Sequence, residues 1–161
     1  MIQEVTGDLL TCGADMICHQ TNFYGVMGAG VARSIWNKLL DTTARNAYCD
    51  LCHVHGRELL GTVQTLPFIC ADGSSALVCN LFCQDDRVQD DGSLTRYDCM
   101  RRCLEQVEWN AKLHGQVKSV ALPGGMGCGI AGGDWNTVRT VIEDVFGKSV
   151  VPCTIVYLDR R

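Results

Sequence analysis

Two spacings of apolar residues alternate along the chain. One is short and continuous or alternating, as in strands; the other recurs every three to four positions, as on one face of a helix. Ile2–Val5 reads as a short strand, and Asp15–Gln20 as a second, apolar at Met16, Ile17 and Cys18. A glycine-bearing loop, Gly25–Gly30, leads into a helix predicted from Val31 to Leu40, where Val31, Ile35 and Leu39 recur every four residues and form one buried face. Thr43–His53 reads as another helix, and Thr62–Phe68 and Ala76–Phe82 as strands. Gln84–Thr95 is polar and acidic, which predicts a solvated surface loop. A long helix is predicted over Leu94–His114, with Tyr97, Met100, Leu104, Val107 and Ala111 as its inner stripe and Gly115 as its C-cap. Ser119–Leu122 is a buried strand. Asp134 caps a helix running through Phe146, with Val138, Val141, Ile142 and Val145 facing inward, and Cys153–Leu158 is the closing strand. Strands alternating with helices predict a layered α/β sheet. No repeat, low-complexity tract or linker divides the chain, so a single domain over residues 1–161 is expected.

Composition narrows the function classes. The chain of 161 residues carries a formal net charge of −4 and has no dense Lys/Arg run, which argues against non-specific nucleic-acid binding. Arg101-Arg102 lies in a helical pattern with acids nearby and reads as a solvated face. No apolar run approaches the roughly 18 residues of a membrane span. Met1–Val5 reads as a strand, without the basic and apolar regions of a secretory signal. The eleven cysteines are odd in number, and several fall inside apolar patterns. They read as reduced thiols acting as small hydrophobes, and the protein is expected to be cytoplasmic.

The most informative segment is Gly124-Gly125-Met126-Gly127-Cys128-Gly129-Ile130-Ala131-Gly132-Gly133, between a buried strand and a capped helix. Glycine permits positive φ and close approach of backbone to a ligand. Successive N–H groups in such a loop, backed by a helix N-terminus, suit a phosphate. Six glycines in ten residues are more than a turn requires. A second loop, Asn22-Phe23-Tyr24-Gly25-Val26-Met27-Gly28-Ala29-Gly30-Val31, also joins a strand to a helix. It fits neither the P-loop nor the GxGxxG fingerprint. Two such units suggest a diphosphate held from both sides.

Taken in order, Gly7-Asp8-Leu9, His19-Gln20-Thr21-Asn22 leading to Met27-Gly28-Ala29-Gly30-Val31-Ala32, and Leu122-Pro123 leading to Gly127-Cys128-Gly129-Ile130-Ala131-Gly132-Gly133-Asp134-Trp135 resemble a macrodomain over essentially the whole chain. The likeness is to stand-alone bacterial and phage proteins, related to the branch that contains the yeast ADP-ribose-1″-phosphate phosphatase and the terminal ADP-ribose protein glycohydrolases. The resemblance implies a three-layer α/β/α fold with a mixed central sheet and an ADP-ribose cleft at the sheet crest. It implies that Asp8 accepts a hydrogen bond from the adenine 6-amino group and that the Leu9 N–H meets the adenine ring. Gln20, Thr21 and Asn22 belong to the ligand-binding strand end, with Asn22 on the distal ribose. Gly28, Ala29, Gly30 and Val31 would hold one phosphate, and Gly125, Met126, Gly127, Cys128, Gly129 and Ile130 would cover the other side of the diphosphate. Tyr157 and Leu158 are candidates to wall the adenine, with core packing as the alternative.

Catalysis is less well marked. The glycohydrolase branch uses a lysine near Phe82–Gln84 and an aspartate after the Gly-Cys-Gly stretch; here Gln84 and Ala131 stand in those places. Glutamine and alanine cannot attack the ribose C1″. His19 and Asn22 are the remaining catalytic candidates, although strand alternation puts His19 and Thr21 on one face and allows His19 to point into the core. Asp85, Asp86, Asp90 and Asp91 read as a solvated acidic loop. The function expected is a hydrolase acting on an ADP-ribosylated target or on ADP-ribose 1″-phosphate; the alternative is a non-catalytic ADP-ribose reader or scavenger. Either would be a monomer whose partner is ADP-ribose or an ADP-ribosylated macromolecule, with no cofactor and no metal. Cys49-Asp50-Leu51-Cys52-His53 fits the CxxCH pattern of haem attachment but comes without an export signal, and no second ligand pair suits a structural zinc. Cys128 lies near a helix N-terminus, where a thiol pKa can fall; the resemblance makes it a loop contact instead. Trp135 reads as a first-turn packing residue.

Overall fold

A computed structural model describes residues 1–159. Six strands form one sheet: β1 (Ile2–Gly7), β2 (Met16–Thr21), β3 (Val63–Ile69), β4 (Ser75–Phe82), β5 (Val120–Pro123) and β6 (Cys153–Leu158). Their spatial order is β1-β6-β5-β2-β4-β3. All neighbours are parallel except β3 and β4, so the sheet is mixed. Four helices flank it: α1 (Gly30–Lys38), α2 (Thr42–His55), α3 (Tyr97–His114) and α4 (Trp135–Phe146). Strand alternation divides the core. Met16 and Cys18 of β2, Val120 and Leu122 of β5, and Cys153 and Ile155 of β6 pack with the inner stripes of α3 and α4. Ile17, Ala121 and Val156, from the same strands, face the other way onto Ile35, Ala44, Tyr48 and Cys52 of α1 and α2. This is the expected α/β/α layering, with strands buried on both faces.

Local chemistry sets most boundaries. Asp41 and Asp134 cap α2 and α4 by accepting from the N–H groups of Ala44 and Thr137, and Gly115 ends α3 in the left-handed region at φ 64°. The N-terminus of α1 differs, because Ala29 offers no capping side chain.

Three expectations are corrected. The long helix begins at Tyr97, not Leu94: the Leu94 N–H donates to Ala131 O and Thr95 bridges Gln84, so both residues belong to the preceding loop. Val31 is 38% exposed and lies outside the apolar face of α1 that Ile35 anchors. The acidic loop is only partly solvated, because Asp85, Ser93 and Thr95 are buried. All eleven cysteines are unpaired, and seven are buried as core residues. Among the described residues, no helix is long and apolar enough to cross a membrane.

Candidate functional site

The loop after β2 leads to α1, and the loop after β5 leads to α4 on the opposite face of the sheet. Adjacent parallel strands whose connections diverge leave a crevice at their C-terminal ends, where open α/β sheets bind ligands. A cavity of about 530 Å³ lies there, lined from both glycine loops and the ends of β2 and β5.

The first loop is pinned from below. Phe23 and Met27 are buried in the α1–α2 core. The Asn22 side chain bridges the turn: Nδ2 donates to Val26 O at 2.9 Å, and Oδ1 accepts from the Tyr24 N–H and the Tyr48 hydroxyl at 3.0 Å each. These contacts lift Gly28, Ala29 and Gly30 to the cavity edge. The first turn of α1 has no side-chain cap, which leaves its N–H groups without helix partners, and its residues Gly30, Val31 and Ala32 line the cavity.

The second loop is a series of tight turns. Met126 N–H donates to Pro123 O, Cys128 N–H to Gly125 O, Gly132 N–H to Gly129 O and Gly133 N–H to Gly127 O. Gly125 and Gly127 take φ of 76° and 75°, which only glycine adopts without strain. Gly127 O also accepts from the Thr95 hydroxyl at 2.6 Å, so the acidic loop braces the glycine loop. The N–H groups of Gly127, Gly129 and Ile130 have no acceptor among the described residues. Gly124 must lack a side chain, because a Cβ there would come within 2.2 Å of the Tyr157 ring.

Among the described residues, no lysine, arginine or carboxylate lines the cavity, and His19 is the one titratable side chain there. The His19 ring is 1% exposed. Burial lowers its pKa to about 4, against the opposing effect of the hydrogen bond to Asn80. The unfolded chain, with a histidine pKa of roughly 6.5, takes up the proton first as pH falls. His19 therefore leaves stability intact above pH 6.5 and withdraws up to about 3 kcal/mol as pH approaches 4. Denaturant titrations at pH 7 and pH 4.5 measure this loss; the difference between the two is expected to shrink by that amount in His19→Gln.

Of the residues expected at the site, the cavity brings together His19, Gln20, Thr21, Asn22, Gly28, Ala29, Gly30, Val31, Gly125, Met126, Gly127, Gly129 and Ile130. Met126 contributes mainly backbone, since its side chain is buried in the α3–α4 core. Asp8, Leu9, Cys128, Tyr157 and Leu158 do not line it. Asp8 is exposed at the end of β1, where Oδ1 accepts from the Leu10 N–H at 2.9 Å. The turn it caps packs beside β5 and β6. Leu158 is 70% exposed next to it, pairing in register with Gly7. Tyr157 packs edge-on against Trp135 and donates to Glu4 at 2.9 Å. Trp135 thus packs as expected at the first turn of α4. The Cys128 thiol is pushed up to about 11 by burial, the reverse of activation by a helix N-terminus. Along α2, Cys52 is buried and His53 exposed, so the CxxCH residues do not converge; no group of three or more potential metal ligands is found among the described residues.

Sequence reasoning did not assign Val26, Ala32, Pro123 or Gly124 to the ligand, and all four line the cavity; Gln84 and Ala131, which stand where the glycohydrolase branch has its lysine and aspartate, line it too. Sequence reasoning also missed Tyr48 and Thr95, which hold the loops. Their partners are 26 and 32 residues away, beyond any local pattern.

No protein-family model matches the chain, and no curated protein matches it. Solved structures match along nearly all of it. A macrodomain protein from Streptomyces coelicolor is 26% identical, with each chain covered in full and a TM-score of 0.72. The macrodomain of Mycobacterium tuberculosis DarG is 22% identical over 98% of this chain and 97% of that one, with a TM-score of 0.78. Thermosipho africanus DarTG, solved in complex with ADP-ribose, is 20% identical over 96% of this chain and 40% of that one, with a TM-score of 0.74. The chain has the macrodomain fold.

Proposed function

We propose that the protein binds ADP-ribose, free or attached to a macromolecule, in the cavity between the two glycine loops. The observation that carries this reading is the pair of strand–loop–helix units at the divergence of β2 and β5, which offer unpaired N–H groups from both sides of a neutral crevice. Such groups fit a diphosphate without cationic side chains. The neighbour solved in complex with ADP-ribose supports the choice of ligand. In this reading the adenosine extends past Gly124 toward the ends of β6 and β1. There Asp8 keeps one carboxylate oxygen for the adenine amino group, beside Leu9, Tyr157 and Leu158. The Cys128 thiol stays a loop contact, and Asn22 shapes the turn around the distal ribose. The protein works as a cytoplasmic monomer.

Calorimetry with ADP-ribose, AMP, ADP and GDP-ribose tests this. A micromolar Kd for ADP-ribose, about −8 kcal/mol, is expected, with weaker binding of GDP-ribose and of the Asp8→Ala variant. Folded protein that binds none of these would sink the reading.

Hydrolysis of ADP-ribose 1″-phosphate or of an ADP-ribosylated target is the enzymatic form of this function. The lining favours the second form, a reader that binds without turnover. Gln84 and Ala131 supply neither nucleophile nor carboxylate, and His19 is a weak base. Incubation with ADP-ribose 1″-phosphate and with ADP-ribosylated protein or nucleic acid is expected to give no product. Turnover abolished by Asn22→Ala in folded protein would instead establish the hydrolase.

A further inference from the structure

A row of polar side chains crosses three strands beneath the cavity. His19 on β2 lies opposite Asn80 on β4, which lies opposite Gln64 on β3. His19 Nε2 is 2.7 Å from Asn80 Oδ1, Asn80 Nδ2 is 3.2 Å from Gln64 Oε1, and Gln64 Nε2 is 3.3 Å from the backbone carbonyl of Ala47. A carbonyl can only accept, so it fixes the direction of every bond in the row. Gln64 must present Nε2–H to Ala47, which turns Oε1 toward Asn80. Asn80 must then donate from Nδ2, which turns Oδ1 toward His19. His19 must carry its proton on Nε2. Its Nδ1 is therefore an unprotonated lone-pair acceptor.

That atom is the one buried side-chain nitrogen or oxygen without a hydrogen-bond partner among the described residues. A buried acceptor left alone costs about 1–3 kcal/mol, so an orphan of this kind calls for a donor that is not part of the chain, a water or a ligand group. His19 belongs to the cavity lining, next to Gln20, Thr21 and Asn22. We infer that Nδ1 of His19 is held ready to accept a hydrogen bond from a hydroxyl of the terminal ribose, making His19 a positioning residue that selects ligands carrying that sugar. This rests on the ADP-ribose reading above. Asn80 and Gln64 act through His19 by setting its tautomer.

The test uses the full chain labelled with 15N. His53, His55 and His114 are exposed, so His19 is distinguished by its burial and by loss of its signals in His19→Gln. The free protein is expected to show His19 as the Nε2–H tautomer at neutral pH. Adding ADP-ribose should move the Nδ1 resonance toward the hydrogen-bonded position; ADP, which lacks the second ribose, should not. His19→Gln keeps a donor for Asn80 and moves the remaining acceptor from the Nδ1 position to an amide oxygen, and it should narrow the preference for ADP-ribose over ADP about tenfold. An Nδ1–H tautomer, an Nδ1 resonance indifferent to bound ADP-ribose, or an equal loss of both ligands in folded His19→Gln would overturn the inference. Failure of folded wild-type protein to bind ADP-ribose would overturn the functional reading and the ribose partner together, and the tautomer would still be read in the free protein.

Discussion

Asp85→Ala is expected to lower stability by about 3 kcal/mol and to weaken ligand binding without touching the ligand. Asp85 is fully buried, and its carboxylate meets Arg57 and Arg96. Arg57 Nη2 donates at 2.8 Å and Arg96 Nη1 at 3.1 Å, and the N–H groups of Asp86 and Arg87 donate at 2.7 and 3.2 Å. Burial pushes the Asp85 pKa up, but the two guanidiniums outweigh it and hold the carboxyl well below the usual carboxylate range. Its contribution is thus present above the ordinary aspartate pKa and persists until strongly acidic pH. Removing one member of a buried ion cluster costs about 3–5 kcal/mol. The lower end applies here, because both arginines are partly exposed and keep Asp86 and Asp98 as partners. The same loop supplies Leu94 and Thr95, which hold Ala131 O and Gly127 O, so loosening it frees the glycine loop. Denaturant titration and ADP-ribose calorimetry measure the two effects. Asp86→Ala, which removes a half-exposed partner, should cost under about 1 kcal/mol.

Gly133→Ala is expected to cost about 1–3 kcal/mol of stability and roughly a hundredfold in ADP-ribose affinity. Gly133 has no unusual φ; its constraint is space. An added Cβ would come within 2.6 Å of the Gly127 carbonyl oxygen and 3.1 Å of the Thr95 hydroxyl. That oxygen already accepts from the Gly133 N–H at 2.8 Å and from Thr95 at 2.6 Å. Backbone, not a flexible side-chain end, would have to move, and it is the backbone that presents the N–H groups of Gly127 and Gly129. Gly129→Ala is the control for stability: nothing lies within 4 Å of its Cβ, so the change should stay within about 0.5 kcal/mol. A Gly133→Ala protein with wild-type affinity would show that the loop does not hold the diphosphate.

Local signals explain what was legible. The α4 stripe of Val138, Val141 and Ile142 follows the helical period, and Asp134 caps it, so its limits were readable to within a residue. The glycine loops announced themselves because few other uses justify so many glycines. Long-range pairing stayed hidden. Asp85 sits in a run of exposed acids, and its arginines are 28 and 11 residues away. The start of α3 expected from the apolar pattern lies three residues early because Leu94 is apolar, while its bond to the glycine loop draws it out of the helix. At Cys128 the position near a helix end is visible in the sequence, whereas the burial that raises its thiol pKa is not. For His19, alternation along β2 left both outcomes open. Only the paired polar positions Asn80 and Gln64, on two other strands, show that the buried ring belongs to an ordered row.

The neutral lining has a consequence for how such a protein changes over time. In the proposed reading its contacts to a diphosphate are carried by peptide groups, which every residue possesses, and a conventional alanine scan of the side chains would pass over them. What must be inherited is the path of the backbone, fixed by a few positions where a methyl group cannot fit. Most other positions are free to drift while the pocket keeps its shape. Chains retaining about one residue in five or four can then superpose along nearly their whole length.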